Sequence, residues 1–307
     1  MKVLLTGATG FIGSHVARAL VAQGAEIHAL VLPEDSFWRI ADVAPHLRFH
    51  TANFLDMASV ARVSEAVRPE LCIHLAWYVE PGRYLEAPEN RDFLDASVNF
   101  ARTLARFGCQ RFVATGTCFE YDTDRGVLSE SSPTRPRTLY ASCKLQLFQQ
   151  LEQVGQGTGM GIGWLRFFYQ YGPFEDPRRL VPYVIGGVLR GEPVKLTPGE
   201  QVRDYLHVDD VAGAVCAVVR SNLTGPVNIG SGQPVTVREI ALRIGELLGR
   251  ADLIALGAQP YIPGDPMRIV ADNKRLRDGT GWKARFNLEE GLRQTIEWWK
   301  SGAYPKS

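Results

Sequence analysis

The chain has 307 residues, of which 45% are hydrophobic, 10% aromatic and 22% charged. This composition is that of a globular protein with enough apolar residues for a large core, and it excludes collagen-like, coiled-coil and disordered chains. Lys and Arg number 34 against 33 Asp and Glu, which leaves a net charge of +1. Such a balance argues against a nucleic-acid or membrane partner, which would normally attract a basic excess.

The cysteines indicate the compartment more than the chemistry. There are five of them, no two with the CxxC spacing, so we expect neither a disulfide framework nor a zinc site. The six histidines show no metal-ligand spacing either, and we predict no bound metal. Reduced cysteines, together with the lack of a signal-peptide core or a long apolar stretch, favour a cytoplasmic location.

Strand and helix patterns alternate through the first half of the chain. The buried-strand candidates are Val3–Leu5, Ile27–Leu32, Leu47–His50, Leu71–Leu75, Phe112–Thr115 and Ile162–Phe168. A helical pattern begins near Ile12, and Gly24 is a typical residue at which a helix ends. Further helical patterns lie near residues 57–67, 93–107 and 139–154. This alternation predicts an α/β fold with a Rossmann-like, doubly wound parallel sheet covered by helices on both faces.

The pattern changes after about residue 170. Turn-rich, short-strand and amphipathic-helix segments follow one another, and Pro and Gly recur at residues 260–266. We predict a smaller α+β C-terminal lobe that binds the substrate. In this division the dinucleotide-binding domain comprises residues 1–169 and about 204–235, and the lobe comprises about 170–203 and 236–307.

A glycine-rich loop directly follows the first predicted strand and opens the first helix. It reads Gly7-Ala8-Thr9-Gly10-Phe11-Ile12-Gly13, with the spacing GxxGxxG in place of GxGxxG. Glycines allow a tight turn and let the backbone approach a pyrophosphate, which binds the free N–H groups at the helix start. The order of strand, loop and helix therefore predicts a dinucleotide site.

The end of the second strand bears on the choice between NAD and NADP. NAD-binding sheets usually place a carboxylate there to hold the ribose 2′-hydroxyl. Here Val31 and Leu32 occupy the expected position, Glu34 and Asp35 come slightly later, and Arg39 lies nearby. We therefore predict NADP, with Arg39 as a cofactor-binding residue, and keep NAD as the alternative.

Tyr140 and Lys144 form a candidate catalytic pair. Their i, i+4 spacing at the start of a predicted helix places them on one face. A nearby ammonium favours the phenolate, so it should lower the pKa of Tyr140. A tyrosine in this state can donate a proton to a carbonyl oxygen or take one from a hydroxyl.

Five segments together resemble the extended short-chain dehydrogenase/reductase family, and within it the nucleotide-sugar epimerases, dehydratases and reductases. They are GATGFIG, GTCFEY, YASCK, LRFFYQYGP and RDYLHVDDVA, and the resemblance spans essentially the whole chain. It implies a third catalytic residue, Thr117, whose hydroxyl would hydrogen-bond the substrate oxygen beside Tyr140. It also implies that Lys144 holds the nicotinamide ribose. Further cofactor contacts are expected at Asn53, Phe54, Leu75, Ala76 and Thr115.

Two positions after Thr117 separate the activities within this family. Dehydratases carry an Asp-Glu pair there, whereas this chain has Cys118 and Phe119, which argues against a 4,6-dehydratase. Enzymes similar to GDP-fucose synthase place an epimerising Cys at the second position, where this chain has Phe119. Cys118 is one position away from that site, so buried packing is its expected role, with a role as an acid or base as the alternative.

Two activities remain. The NADP prediction favours a 4-ketoreductase, which passes a hydride from NADPH to C4 of a nucleotide 4-keto-6-deoxyhexose with Tyr140 as the proton donor. The alternative is a nucleotide-sugar 4-epimerase with tightly bound NAD. A non-catalytic dinucleotide-binding sensor is a remote alternative, because Thr117, Tyr140 and Lys144 are all present.

The expected substrate contacts depart in part from the family pattern. Tyr169 stands where galactose epimerases have an Asn, and Arg203 matches an arginine that binds the diphosphate. A second arginine expected before the turn at residues 263–265 is absent, and Arg268 is the candidate substitute. Tyr78 and Arg83 follow the fourth strand and are candidates for the sugar pocket. These positions do not predict which nucleotide base the substrate carries.

A homodimer is also implied by the resemblance. The helical stretches near residues 93–107 and 139–154 are similar to those that pair in this family. Leu145, Phe148 and Leu151 would supply the apolar face.

Overall fold

The computed structural model describes residues 1–304. Its strands are β1 (Lys2–Thr6), β2 (Glu26–Val31), β3 (Leu47–Thr51), β4 (Leu71–His74), β5 (Arg111–Thr117), β6 (Val127–Leu128), β7 (Gly161–Phe167), β8 (Tyr169–Tyr171), β9 (Val194–Lys195), β10 (Val202–His207), β11 (Gly225–Ile229), β12 (Pro234–Thr236), β13 (Ile254–Ala255) and β14 (Val270–Ala271). Its helices are α1 (Phe11–Ala22), α2 (Met57–Val67), α3 (Glu89–Arg106), α4 (Leu139–Thr158), α5 (Leu180–Arg190), α6 (Val208–Arg220), α7 (Val237–Leu247), α8 (Lys274–Thr280) and α9 (Leu288–Lys300).

Seven parallel strands form the main sheet, in the order β11-β7-β5-β4-β1-β2-β3. Val3, Leu4 and Leu5 of β1 have no exposed surface, because helices cover both faces and every side chain of a central strand is buried. The strand order reverses next to β1, and the carboxyl ends of the strands around such a switch point form the usual ligand site. The predicted doubly wound α/β fold is confirmed.

Two apolar clusters hold the helices against the sheet. On one face α1 and α6 contribute Val16, Leu20 and Val215 to the core, and on the other face α2, α3 and α4 contribute residues such as Phe100 and Leu151. Six of the seven strands match the predicted runs. The seventh, β11, is not among the predicted strands, because Gly, Pro and Asn interrupt its short apolar pattern.

A third apolar cluster lies between α5, α7 and α9 and includes Val184, Ile244 and Ile296. Strands β8 and β10 pair in parallel, and β12 pairs antiparallel with β10, so a three-stranded sheet adjoins this cluster. These elements alternate helix and short strand, as expected for the lobe. The residue limits of the two domains stay a prediction.

The predicted dimer face needs a correction. Phe148 stacks on Trp164 with ring centroids 5.5 Å apart, and Leu151 has no exposed surface. Both side chains therefore belong to the core of their own chain, and of the three named residues only Leu145 keeps partial exposure. The homodimer itself stays a prediction.

Within residues 1–304, no helix combines the length and the apolar character that crossing a membrane requires. In the same part of the chain, no group of three or more His, Cys, Asp or Glu side chains is arranged to hold a metal ion. The cytoplasmic location stays a prediction.

Candidate active site

The glycine loop leaves no room for side chains at two of its positions. A Cβ added to Gly13 would lie 1.9 Å from the Gly7 carbonyl oxygen, and one added to Gly7 would lie 2.9 Å from the Ala76 nitrogen. Helix α1 begins after Gly10, and no side chain caps its first N–H groups. A bare helix start beside a glycine turn suits a pyrophosphate. The loop therefore fits a dinucleotide.

The other expected cofactor contacts surround this loop at the carboxyl edge of the sheet. Leu75 and Ala76 follow β4, and the Ala76 amide donates to the Thr6 hydroxyl at 3.2 Å. Asn53 is exposed after β3, and its Oδ1 accepts a hydrogen bond from the Leu55 amide at 3.0 Å.

Phe54 needs a correction as a side-chain contact. Its ring is 4% exposed and packs 5.0 Å from the His74 ring and 5.5 Å from the Phe100 ring. The side chain of Phe54 thus belongs to the core, and only its backbone stands at the carboxyl edge.

A carboxylate does stand at the end of β2. Asp35 folds back, so that its Oδ2 accepts hydrogen bonds from the Leu32 amide at 3.0 Å and from the Thr9 hydroxyl at 3.2 Å. Arg39, by contrast, lies over the Trp38 ring at 4.4 Å, and its Nε donates to the Phe174 carbonyl at 3.0 Å. The premise for NADP, a missing carboxylate next to a free arginine, does not hold.

Thr117, Tyr140 and Lys144 meet at the same edge of the sheet. Thr117 is the last residue of β5, and α4 begins one residue before Tyr140, with Thr138 capping the helix through the Ala141 amide at 3.2 Å. The Thr117 side chain acts to lower the pKa of Tyr140, and the Lys144 Nζ lies 6.0 Å from the Tyr140 ring centroid. The structure therefore brings the three predicted catalytic residues together.

Lys144 is buried beneath this site. Its Nζ donates to the Thr115 carbonyl at 2.9 Å and lies 3.7 Å from the centroid of the Trp77 ring. Burial lowers the pKa of Lys144 to about 7, against an opposing effect of the Glu120 carboxylate.

The expected effect of Lys144 on Tyr140 is absent. Withdrawal from water raises the pKa of Tyr140, and Tyr84 and Glu120 add to this rise, whereas Thr117 opposes it. The Lys144 ammonium lies 6.0 Å from the Tyr140 ring centroid and faces Trp77 more closely. The predicted lowering of the Tyr140 pKa is therefore wrong for this structure, because burial dominates and the ammonium faces Trp77.

The segment after β4 places two aromatic residues beside the catalytic pair, while the roles of Tyr78 and Arg83 in a sugar pocket stay predictions. Tyr78 is partly buried, and Arg83 is exposed in a turn. The neighbours of the catalytic pair are instead Trp77, under Lys144, and Tyr84, whose ring centroid lies 5.0 Å from that of Tyr140. Trp77 directly follows Leu75 and Ala76, the expected cofactor contacts after β4. This position in the sequence could have identified it as a residue of the site.

The lobe supplies the second wall of the site. Arg203 on β10 is 4% exposed and binds both carboxylate oxygens of Asp265, at 2.9 and 2.8 Å. Its guanidinium also lies 5.4 Å from the Tyr169 ring, so these two predicted substrate residues are adjacent. Arg268 is exposed, and its alkyl chain packs along Gly126.

Comparisons with known proteins agree with this geometry. Residues 3–230 match the family described as the NAD dependent epimerase/dehydratase family. The chain belongs to this family. The resemblance to nucleotide-sugar enzymes of the extended short-chain dehydrogenase/reductase group is thereby confirmed.

Individual members of the epimerase/dehydratase family match over almost their whole length. A probable dTDP-glucose 4,6-dehydratase of Sinorhizobium fredii is 29% identical, over 97% of this chain and 93% of that protein. A UDP-glucose 4-epimerase of Mycolicibacterium smegmatis is 30% identical, over 98% and 99%. The solved structure of Thermus thermophilus UDP-glucose 4-epimerase in complex with NAD is 29% identical, with a TM-score of 0.87 over 98% and 99%.

In this member of the epimerase/dehydratase family, the two residues directly after Thr117 carry no acid that titrates near neutral pH. Cys118 is 1% exposed, and burial raises its pKa to about 12, which suits packing. Phe119 contacts the lobe, with its ring centroid 6.3 Å from that of Tyr169. Neither side chain can protonate a leaving hydroxyl near neutral pH.

Glu175 was missed by the sequence reasoning. It follows Phe174, which has a positive φ of 71°, and it is only 6% exposed. Among residues 1–304, its Oε2 has no hydrogen-bond partner. Burial raises the pKa of Glu175 well above its usual range, although Arg179 opposes the rise. No local pattern marks it, because its burial depends on how the lobe packs.

Proposed function

We propose that the protein is an NAD-dependent nucleotide-sugar oxidoreductase that works at C4 of the hexose as a 4-epimerase. The observation that carries this proposal is the meeting of Thr117, Tyr140 and Lys144 beside the glycine loop. Cys118 and Phe119 supply no acid for a 4,6-dehydration. Hydride transfer with a tyrosine as acid and base is the chemistry that remains.

The protein residues divide this work among them. NAD, when bound, supplies the acceptor for the C4 hydride. The Thr117 hydroxyl would orient the O4 oxygen, and the Tyr140 oxygen, once deprotonated, would take the O4 proton as the C–O bond becomes a carbonyl. Lys144 lies below both residues and would hold the ribose. Once the keto sugar has rotated, Tyr140 would return the proton to the O4 oxygen, which would give the C4 epimer with no net use of cofactor.

The choice of NAD rests on Asp35. Its carboxylate, fixed beside the glycine loop by Leu32 and Thr9, can accept hydrogen bonds from ribose hydroxyls. The same charge would repel a 2′-phosphate. Arg39 is engaged with Trp38 and Phe174 and would have to move to bind such a phosphate.

The nucleotide-sugar substrate is supported by the lobe. Arg203 is a buried guanidinium that donates two hydrogen bonds to the Asp265 carboxylate. A guanidinium placed in this way can also bind a diphosphate. Binding there requires Asp265 to share or release Arg203. Tyr169 next to it would contact the sugar side of the diphosphate.

A 4-ketoreductase of a nucleotide 4-keto-6-deoxyhexose is the second candidate. It is favoured by the departures from the galactose-epimerase pattern, namely Tyr169 in place of Asn and no arginine before residues 263–265. The same three catalytic residues serve this reaction, with Tyr140 as the proton donor.

Product analysis separates the candidates. Purified protein would be given UDP-, dTDP-, GDP- and CDP-hexoses, and in parallel the 4-keto-6-deoxyhexoses with NADH or NADPH, with the sugars resolved by chromatography. Interconversion of C4 epimers without net change in NADH absorbance supports the epimerase. Consumption of one reduced cofactor per sugar replaces it with the reductase. Folded protein that binds NAD but changes neither substrate set overturns both.

A further inference from the structure

A buried carboxylate stands behind the candidate active site. Glu120 has no exposed surface, and its two oxygens accept hydrogen bonds from the Arg166 Nε at 2.7 Å and from the Trp164 Nε1 at 3.1 Å. The Thr117 amide donates to it as well, at 2.7 Å. Burial raises the pKa of Glu120, whereas Arg166, the Thr117 amide and Trp164 oppose this rise. All three neighbours are donors, so the arrangement suits an ionised carboxylate and offers no acceptor for a proton.

This carboxylate fixes the backbone at Thr117. The Thr117 hydroxyl accepts from the Phe119 amide at 3.3 Å while Glu120 accepts from the Thr117 amide, which closes a capping box around the turn. A Cβ added to Gly116 would lie 2.3 Å from both the Glu120 Oε1 and the Trp164 Nε1. The glycine thus leaves the space that the carboxylate and the indole occupy.

Strand β7 supplies the partners of Glu120 on one side. Trp164 and Arg166 are two residues apart, so their side chains lie on the same face of the sheet. Arg166 is also 4.3 Å from the Tyr121 ring, and the Tyr121 hydroxyl donates to the Asn228 Oδ1 at 2.7 Å. Glu120 is therefore held from both sides and cannot swing away from Thr117 without breaking this network.

The charge of Glu120 also reaches the catalytic pair. It opposes the lowering of the Lys144 pKa by burial, and it adds to the rise of the Tyr140 pKa. The Glu120 carboxylate therefore favours the ammonium form of Lys144.

We propose that Glu120 is a positioning residue whose carboxylate, ion-paired with Arg166, holds Thr117 at the reacting centre and keeps a negative charge behind the Lys144 ammonium. This inference rests on the proposed function, because it assigns Glu120 a role in the same hydride-transfer site. The residue itself touches neither substrate nor cofactor and acts through Thr117 and Lys144.

The test is the pH profile of E120Q. We expect kcat to fall by about 10- to 100-fold, the scale of small misplacements of reacting groups, with little change in KM. Without the anion, the pKa values of Lys144 and Tyr140 both fall, so both limbs of the kcat profile should move to lower pH. A folded variant with an unchanged kcat and unchanged limbs overturns the proposal.

The double variant E120Q/R166Q guards against a folding defect, because it leaves no unpaired buried charge. We expect its melting temperature to recover while the limbs stay displaced, whereas a purely structural role predicts full return of the wild-type profile. E130Q is the matched control. Glu130 is partly buried and accepts from the Asn228 amide at 2.8 Å, on the far side of the network, so its substitution should move neither limb.

A measurement without substrate separates this proposal from the proposed function. The ε-carbon NMR titration of Lys144, assigned with K144R, should show a lower pKa in E120Q than in the wild type. If the titration moves but the wild type turns over no nucleotide sugar, the proposed function fails and the electrostatic role of Glu120 stands. If the titration does not move, the role of Glu120 is overturned whatever the substrate.

Discussion

The carboxyl edge of the sheet and the facing lobe build the candidate site in different ways. At the sheet edge, the glycine loop, Thr117 and Tyr140 each follow a strand or begin a helix. On the lobe, Arg203 meets Asp265, which lies 62 residues further along the chain. The proposed catalytic residues are therefore placed by the topology of the sheet, whereas the proposed substrate contacts are placed by long-range packing of the lobe.

The largest effect is expected at the sheet edge, from Tyr140→Phe. Loss of the phenolic proton should reduce turnover by about 100-fold or more, the contribution of a general acid or base. NAD affinity, measured by titration calorimetry, should stay close to that of the wild type. Tyr183→Phe is the matched control, because Tyr183 is 37% exposed on α5. Undiminished turnover in Tyr140→Phe would remove the assigned chemistry from the sheet edge.

Gly13→Ala tests the glycine loop, the proposed cofactor site at the same edge of the sheet. The new Cβ would lie 1.9 Å from the backbone oxygen of Gly7, so the loop must shift. We expect the free energy of unfolding to fall by about 1–3 kcal/mol, the usual effect of overpacking, and NAD binding to weaken with it. Gly10→Ala brings its Cβ only to 3.2 Å from the same oxygen and should do less. Denaturant unfolding and NAD titration of both variants check this order.

The sheet edge was largely predictable from sequence, because its signals are local. Apolar runs, glycine spacing and the i, i+4 pair of Tyr140 and Lys144 all act within a few residues of the chain. The predictions failed where folding places a side chain against an earlier part of the chain or buries it. Asp35 turns back to β2 through a bond to the Leu32 amide, and the pKa of Tyr140 follows its burial. Neither effect can be derived from spacing.

Lobe residues were less predictable for the same physical reason. Arg203 was found only through a resemblance, and nothing in its neighbourhood indicated its pairing with Asp265. Glu175 lies in a turn that looks like a solvated loop, and its burial becomes visible only in three dimensions. Candidate substrate-binding residues on such a lobe can be identified only from a three-dimensional structure.

Substitution of Arg203 tests the lobe half of the comparison. Arg203→Lys keeps the charge but loses the two-fold contact, so we expect KM for the nucleotide sugar to rise roughly tenfold, or about 1.4 kcal/mol. The maximal rate should change less than KM, because the residue lies away from Tyr140. Arg250→Lys is the matched control and should leave KM near the wild-type value, because Arg250 is exposed and pairs with Asp252 on the surface. Equal effects of the two substitutions would contradict the assignment of Arg203.

Asp35→Asn sharpens the comparison on the cofactor side. Loss of a charged acceptor for the ribose should weaken NAD binding by roughly fivefold, about 1 kcal/mol, and should narrow the preference for NAD over NADP. The measurement is the ratio of dissociation constants for the two cofactors. Glu34→Gln, one residue earlier and exposed, is the control. A ratio unchanged by Asp35→Asn would return Arg39 to consideration.

The smallest effect is expected at Glu175 and concerns stability. Burial raises the pKa of its carboxyl in the folded protein, so its contribution to stability is present below the ordinary glutamate pKa and is lost as pH rises. Glu175→Gln removes this titration. The variant should match the wild type near pH 4 and exceed it at pH 7 by about 1 kcal/mol, the scale of an unpaired buried polar group.

A second lobe glutamate gives the opposite sign and completes this test. The Thr236 amide and hydroxyl hold the pKa of Glu239 below its usual value, so its contribution is present above the ordinary glutamate pKa and is lost as pH falls. Glu239→Gln should therefore be less stable than the wild type at pH 7 and approach it in acid. Urea unfolding of the two variants from pH 4 to pH 8 should give diverging curves. If the stability of both variants relative to the wild type changes with pH in the same direction, the Glu175 carboxyl is hydrogen-bonded or solvated in the folded protein. Its pKa would then not be raised by burial.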